Sequence, residues 1–376
     1  MLMGVLLALG PLVWVGWRNR RATPLGRFNA LTLFTLFLTF DLVMFGAFTR
    51  LTDSGLGCPD WPGCYGYTSP LGAKSHIDAA QSAMPSGPVT VGKAWIEMIH
   101  RYLATGVGVL ILVLAVTSWL GKTREGPSRM ISPWWPTLTL FWVCMQGAFG
   151  ALTVTMKLFP AIVTLHLLGG LSLLALLTAQ VVRSAQAQGN AVSTLVAPGV
   201  RRLMWATLAL LLLQVILGGW VSTNYAVLAC SDFPKCQNSW WPVMNFSQGF
   251  EFWRELGMTA DGEAISFAAL TAIHYVHRSM ALVVLVVFGL LAWQLNRLPT
   301  LRTHSRWLAG LISLQLITGL SNVVLDWPLV AAVLHTGGAG ALVIAMTWLL
   351  AGSRTSAAPT TWAPEASNSS PSRLPA

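Results

Sequence analysis

The sequence predicts an all-α integral membrane protein, with eight core transmembrane helices arranged as two pseudo-symmetric four-helix bundles. Three observations lead to this prediction. Hydrophobic residues make up 54% of the 376 residues and charged residues only 10%, a balance that water-soluble domains do not have. Apolar runs of about twenty residues, the length that spans a bilayer, recur along the chain. The same landmark residues then return in the second half at nearly constant spacing.

The eight apolar runs define the order of the chain. They cover residues 29–49, 97–119, 134–155, 161–183, 203–223, 268–294, 307–325 and 329–352. We therefore predict a first half over 29–183, a cytoplasmic linker over 184–202, a second half over 203–352 and a tail over 353–376. The tail is rich in Ala, Pro, Ser and Thr and is expected to be disordered.

Residues 1–28 form either a dispensable extension or a short extra helix. The apolar part is short, and its arginines follow it, whereas the charges of a signal peptide come first. We leave this segment out of the predicted core.

The distribution of charge predicts the orientation in the membrane. The chain carries a net charge of +10, but its basic residues fall in alternate short loops, as in cytoplasmic loops of membrane proteins, so binding to nucleic acid is not expected. The tail is placed on the same, cytoplasmic side. Two long loops, 51–95 and 224–266, face the opposite side. The basic residues are Arg18, Arg20, Arg21, Arg27, Lys122, Arg124, Arg129, Arg183, Arg201, Arg202, Arg297, Arg302, Arg306 and Arg354.

An internal repeat divides the chain into two halves of four helices. Three sets of residues recur at nearly equal offsets: Gly46, Cys58, Asp60, Pro62 and Cys64 match Gly218, Cys230, Asp232, Pro234 and Cys236 at 172; His100 and Arg101 match His277 and Arg278 at 177; Gln146, Gly150 and His166 match Gln315, Gly319 and His335 at 169. Each half begins and ends on the same side of the membrane, so the repeats are parallel and related by an axis along the membrane normal.

Four of the seven histidines are predicted to bind metal. His100, His166, His277 and His335 each lie within about one to two turns of the outer end of a span, so they share one depth. A single intramembrane histidine is more often a packing residue, but four in a repeat favour ligands. Neutral imidazole is an axial ligand of haem iron, and one haem between two helices is expected in each half.

The other three histidines carry no site prediction. His76 and His304 are assigned to solvent-facing loops, and His274 stays open.

The glycines and arginines near these histidines suit a flat, acidic cofactor. Gly169-Gly170 and Gly337-Gly338 would let a macrocycle approach the helix backbone, although small residues also promote helix contact. Arg101 and Arg278 can pair with haem propionates, or simply extend to the membrane surface.

The five cysteines place the long loops in an oxidising compartment. Cys58 with Cys64, and Cys230 with Cys236, are predicted to form a disulfide in each loop, and a redox relay toward the haem remains an alternative. Cys144 is predicted to be packed inside the third span.

Glu97 makes the two halves chemically unequal. It stands three residues before His100 on the same helical face, where the second half has His274. A poorly solvated carboxylate beside a haem can transfer a proton or stabilise positive charge. The alternative is a structural acid at the start of a helix.

These motifs resemble those of the haem A synthase family. The resemblance rests on RLTDSGLGCPDWPGCYG at 50–66, followed by Glu97-Met-Ile-His-Arg101, and covers about residues 29–352. Members convert haem O to haem A for cytochrome oxidase. The paired loop cysteines are similar to the bacterial branch of the family, which implies a bacterial plasma (inner) membrane location with the haem sites toward the periplasm.

The resemblance implies a role for each pair of histidines. His277 and His335 would hold a resident haem b, whereas His100 and His166, with Glu97 beside them, would hold haem O while its C8 methyl is oxidised to a formyl group. Implied partners are the lipid bilayer, the farnesyltransferase that makes haem O, an unidentified electron donor and a further copy in a homo-oligomer.

Two other functions stay open on the residues alone. One is a di-haem b-type electron carrier linked to a quinol, and the other is a haem-carrying assembly factor without redox turnover. An extract of the bound pigments distinguishes them, since only the enzyme should carry haem O, haem A or an intermediate.

Overall fold

Long apolar helices dominate the structure, a computed structural model that describes residues 2–122 and 132–355. Eight helices in these ranges are long and apolar enough to cross a membrane, which confirms the predicted fold class. The predicted loop arginines Arg124 and Arg129, and the tail from residue 356, lie outside the described residues. The helices are α1 (Leu2–Arg18), α2 (Pro24–Leu51), α3 (Lys74–Ala83), α4 (Val91–Lys122), α5 (Trp134–Thr155), α6 (Pro160–Ala187), α7 (Pro198–Thr223), α8 (Phe246–Gly249), α9 (Phe267–Asn296), α10 (Arg302–Val324) and α11 (Leu329–Ala351).

Local sequence explains where several of these helices begin. Pro24, Pro160 and Pro198 occupy the first turns of α2, α6 and α7, where a missing N–H costs no helical hydrogen bond. Thr23 caps α2 by accepting a hydrogen bond from the Gly26 N–H at 3.1 Å, and Ser266 caps α9 in the same way. Such caps satisfy N–H groups that have no partner within the helix.

The two halves pack as matching bundles. In the first half α2 packs on α4 and α6, and α5 packs on the same two helices; in the second half α7, α9, α10 and α11 repeat this pattern. The halves meet where α6 packs on α11, where α2 packs on α11 and where α6 packs on α7. The last two contacts are repeat equivalents, so an approximate two-fold axis passes between α6 and α11.

Contacts near this axis join repeat-equivalent residues at the loop end of the bundles. Arg50 donates to the carbonyl oxygen of Ser222 at 2.6 Å, and the Tyr225 hydroxyl donates to Asp53. Each pair is separated by 172 residues, the offset of the repeat itself. Deeper in the membrane the buried Gln180 of α6 donates to Thr32 of α2 at 3.0 Å, which satisfies a polar group away from water.

The structure decides the N-terminal segment and corrects the start of the tail. Residues 2–18 form a helix, α1, which packs on α4 and buries Ala8 and Val15 in the main apolar core. The extra-helix alternative is therefore confirmed, and α1 is shorter than the eight predicted spans. Ser353–Thr355, assigned to the disordered tail, form a strand, β2, that pairs in parallel with β1, Thr194–Val196. The segment between the halves is also shorter than predicted, because α6 ends at Ala187 and α7 begins at Pro198.

Three side chains lie elsewhere than the sequence indicated. His304 belongs to α10, which begins at Arg302, five residues before the predicted span. His76 is exposed as expected, but on the short helix α3, where it stacks on Tyr65 at 5.4 Å between ring centroids. Cys144 is exposed on the outer face of the bundle instead of packed inside it.

Candidate functional site

The first-half pair consists of His100 on α4 and His166 on α6. The two imidazoles lie near enough to interact electrostatically, although the sequence places them 66 residues apart. Each ring packs against a glycine of a neighbouring helix. A Cβ atom added to Gly46 of α2 would lie 3.0 Å from His100 Cε1, and one added to Gly150 of α5 would lie 3.5 Å from His166 Cε1.

The second half repeats this arrangement with His277 on α9 and His335 on α11. These two rings also interact electrostatically. A Cβ atom on Gly218 of α7 would lie 2.9 Å from His277 Cε1, and one on Gly319 of α10 would lie 3.1 Å from His335 Cε1. The tertiary structure therefore brings the four predicted histidines together as two pairs, one inside each bundle.

The glycine pairs Gly169-Gly170 and Gly337-Gly338 were expected to adjoin a macrocycle, but one glycine of each pair adjoins a glutamine side chain. A Cβ atom on Gly169 would overlap the Gln146 side chain, and one on Gly338 would overlap the Gln315 side chain. These glycines make room for two repeat-equivalent glutamines. The glycines that adjoin the imidazoles are the landmark residues of the repeat, to which sequence reasoning gave no role.

Glu97 is buried, with 4% of its surface exposed. Its Oε2 accepts a hydrogen bond from the Cys58 backbone N–H at 2.7 Å, and its Oε1 forms an ion pair with Arg101. Because α4 begins at Val91, Glu97 lies in the second turn and is not a helix-start acid. The carboxylate connects the helix that carries His100 to the first disulfide loop.

Arg101 and Arg278 bind the two disulfide loops. Arg101 donates to the carbonyl oxygens of Asp60 at 2.9 Å and Gly63 at 2.6 Å. Arg278 donates to the carbonyl oxygens of Asp232 at 3.0 Å and of Pro234 and Lys235. The two arginine side chains therefore do not simply extend to the membrane surface, which was the alternative interpretation. Their pairing with haem propionates stays a prediction and would use the N–H groups that these bonds leave.

Each loop is closed by the predicted disulfide. Cys58 is bonded to Cys64 and Cys230 to Cys236, with Cα atoms 4.9 Å and 4.7 Å apart. Within each loop an aspartate, Asp60 or Asp232, accepts hydrogen bonds from two following backbone N–H groups.

The charge of Asp232 is stabilised inside its loop. Partial desolvation alone would raise the pKa of Asp232, but the backbone N–H groups of Asn238, Gln237 and Asp232 and the charge of Arg278 together hold the pKa below its ordinary value. The carboxylate of Asp232 therefore stays a hydrogen-bond acceptor to a lower pH than an ordinary aspartate does.

His274 occupies the position that Glu97 has in the first half. It is buried, with 3% of its surface exposed, and its ring approaches the backbone of Ala226 and the ring of His277. An imidazole thus stands in the second half where the first half has a carboxylate. The sequence left its role open, and the structure gives it a packed position next to a histidine of the second pair.

The donor set of each half fits a haem better than a smaller metal centre. Two imidazoles from two helices suffice for the axial positions of haem iron. In the described part of the chain no group of three or more His, Cys, Asp or Glu side chains converges on one point. The Nδ1 atoms of His100 and His166 are buried and have no hydrogen-bond partner among the described residues, so these rings are not held at that nitrogen by a hydrogen bond within the protein.

This chain is similar to known proteins over most of its length. The profile of the COX15-CtaA family, described as cytochrome oxidase assembly protein, matches residues 29–347. A haem A synthase of Shewanella oneidensis is 38% identical over 312 residues, which cover 83% of this chain and 92% of that protein. A haem A synthase of a Caulobacter species is 28% identical over 352 residues, 88% of this chain and 96% of that protein. Another, from Halalkalibacterium halodurans, is 26% identical over 304 residues, 78% of this chain and 86% of that protein.

Proposed function

The chain belongs to the COX15-CtaA family of cytochrome oxidase assembly proteins, and from this membership we propose that it is a haem A synthase, a membrane oxidoreductase that acts on haem. The observation that carries the proposal is the presence of two repeat-equivalent histidine pairs, one in each bundle. Two pairs allow one haem to be the substrate while another serves the reaction.

The substrate we propose is haem O, and the reaction is oxidation of its C8 methyl group to a formyl group by successive hydroxylations. This change removes four electrons and adds one oxygen atom, so it needs an oxidant and an oxygen source from outside the chain. We assign haem O to His100 and His166, because the buried carboxylate of Glu97 precedes His100 by three residues on the same helix. A fixed negative charge stabilises positive charge that develops on a nearby reactant, and a buried carboxylate can also move a proton.

The resident cofactor we propose is haem b, held by His277 and His335 in the second half. When bound there, its iron supplies one-electron redox chemistry to the reaction. The chain's own contribution at this pair is to fix both imidazoles within one bundle and to exclude bulk water from them. The electron donor is a separate partner.

The surrounding chain positions these groups. Arg101 and Glu97 hold the first disulfide loop against α4, so the loop covers the loop end of the bundle near His100. Apolar helices enclose the pairs from the sides. A covered, apolar site keeps reactive intermediates from water.

Pigment analysis tests the proposed function. The protein would be produced in a bacterium that makes haem O but has no haem A synthase of its own, and the haems extracted from its membranes would be identified by chromatography and mass. We expect haem A, with a singly hydroxylated intermediate when turnover is slowed. The His100→Ala variant is the matched control and should give haem O alone. Haem b as the sole bound pigment, together with unchanged haem O in the membranes, would favour the electron carrier instead.

A further inference from the structure

The two histidine pairs differ in what contacts the second nitrogen of each imidazole. In the second half the Thr318 hydroxyl of α10 lies 2.9 Å from His335 Nδ1. The same hydroxyl donates to the Leu314 carbonyl oxygen at 2.8 Å. A hydroxyl has one hydrogen, so its oxygen accepts from an Nδ1–H of His335. This tautomer leaves the Nε2 lone pair free to bind a metal.

His277, the other member of that pair, is held by a glutamine. Gln214 Nε2 lies 3.1 Å from His277 Nδ1 and donates to the His277 carbonyl oxygen at 3.2 Å. Its Oε1 is buried and has no partner among the described residues. A half-turn of the amide would present Oε1 to an Nδ1–H, so Gln214 can hold the ring in either tautomer.

The first half has apolar residues at both of these positions. The offset of 169 that relates His335 to His166 relates Thr318 to Phe149, and the offset of 172 that relates Gly218 to Gly46 relates Gln214 to Leu42. Neither replacement side chain has a group that can accept or donate a hydrogen bond.

The first-half histidines also lack the partners that these positions supply in the second half. His100 Nδ1 and His166 Nδ1 are buried without a hydrogen bond in the described part of the chain. The Gln146 backbone approaches the His166 ring as the Gln315 backbone approaches His335, so the Thr318 hydroxyl is what sets the two rings apart.

We propose that Thr318 and Gln214 are positioning residues that make the second pair a retentive haem site, and that Phe149 and Leu42 make the first pair an exchangeable one. The inference rests on the proposed function, in which one haem stays and the other must leave as product. Hydrogen bonds to the outer nitrogen of a ligating imidazole fix its orientation and raise its basicity, and their loss costs roughly 10- to 100-fold in metal affinity. Rings without such partners must be ordered at each binding event, which weakens binding.

The test compares Thr318→Val with Thr318→Ser in the full-length purified protein. Valine has a similar size and lacks the hydroxyl, whereas serine keeps it. Transfer of the retained haem to an excess of apomyoglobin measures retention. We expect transfer from the Thr318→Val protein to be about 10- to 100-fold faster than from wild type, and the serine variant to resemble wild type. The reduction potential should rise in the valine variant, because a less basic imidazole stabilises ferric iron less.

Ser321→Ala is the matched control, since Ser321 also lies on α10 and also donates to the carbonyl four residues before it, but through an exposed hydrogen bond. It should change neither transfer nor potential. The reciprocal variant Phe149→Thr should slow the release of haem from the first half. If Thr318→Val leaves both the transfer rate and the potential unchanged, or if Ser321→Ala changes them equally, the inference is wrong.

Failure of the inference can be told from failure of the proposed function. Haem transfer and the potential are measured without any product being formed. A wild-type protein that makes haem A while Thr318→Val behaves as wild type contradicts the inference alone. A wild-type protein that makes no haem A contradicts the proposed function, whatever Thr318→Val does. If Thr318→Val does not fold, Gln214→Leu provides the same two measurements at His277.

Discussion

Both carboxylate oxygens of Glu97 form contacts within the protein. The residue can therefore serve the reaction, or it can serve only to hold the first disulfide loop. One oxygen accepts from Cys58 and the other pairs with Arg101. A glutamine at this position keeps an acceptor for Cys58 and removes the negative charge. Substitution at Glu97 therefore separates the charge from the shape.

We expect Glu97→Gln to retain the second-half haem and to lower the yield of haem A by about a hundred- to ten-thousand-fold, the usual loss when a general acid or base is removed. Haem O or a singly hydroxylated intermediate should accumulate. The double variant Glu97→Gln, Arg101→Gln removes the unpaired arginine as well. If the double variant recovers haem A, or if Glu97→Gln makes nearly normal amounts, the carboxylate is only structural.

The histidines allow a comparison between repeat-equivalent positions. Replacing His277 or His335 by Ala should remove tightly bound haem b, because in the proposed function each imidazole would hold the haem iron. Replacing His100 or His166 by Ala should leave that haem largely in place and abolish product. Absorption spectra of the purified variants check the low-spin haem. Unchanged spectra in both second-half variants, or loss of all haem in the first-half variants, would contradict the assignment.

The two disulfide loops are held in the same way but differ in one contact. Both are bound through backbone carbonyl groups by the arginine of the adjacent helix. The first loop also donates its Cys58 N–H to Glu97, a contact without a counterpart in the second half, where His274 stands. Opening the first loop should therefore disturb the substrate side more than opening the second loop disturbs the other.

We expect the Cys58→Ser, Cys64→Ser protein to lose most haem A formation while retaining its second-half haem, since Glu97 loses a fixed donor. The Cys230→Ser, Cys236→Ser protein is the matched control, and should keep more activity. Mass analysis of alkylated, unreduced wild type should find all four loop cysteines unavailable for alkylation. Free thiols at all four positions would instead indicate metal binding or a transient redox role.

At the scale of the whole molecule, the halves are held together near the pseudo-two-fold axis by polar contacts at the loop end. Arg50 donates to Ser222, and its guanidinium lies over the Tyr225 ring at 4.1 Å from the ring centroid. Only ten residues, 188–197, connect α6 to α7, so the relative position of the bundles depends on their interface.

Arg50→Met should lower the thermal unfolding temperature of the detergent-solubilised protein by a few degrees, because a charged hydrogen bond contributes about 1.5–3 kcal/mol. Each histidine pair lies within one bundle, so bound haem should be retained below that temperature. Arg202→Met, at an exposed position at the other end of the molecule, is the control and should have little effect. Equal unfolding temperatures for all three proteins would exclude Arg50 as an interface residue.

The sequence by itself determined the membrane class, the eight spans, the repeat and the disulfide pairs, because hydropathy over twenty residues and fixed offsets are properties of the chain alone. It also selected His100, His166, His277 and His335 as the residues to bring together. It placed the start of α4 six residues late, at Glu97 instead of Val91, since the helix continues beyond its apolar run. It left residues 2–18 undecided between an extension and an extra helix, since the length of an apolar run gives no information on packing.

The tertiary structure decided what surrounds each selected residue. Contacts between helices far apart in sequence placed Thr318 against His335 and Gly46 against His100. They also turned Arg101 toward the carbonyl groups of the loop. Such contacts depend on how two helices face each other, which neither hydropathy nor spacing along one helix specifies. The repeat offsets could have located Phe149 and Leu42, but their meaning depends on knowing that their counterparts touch imidazole nitrogens.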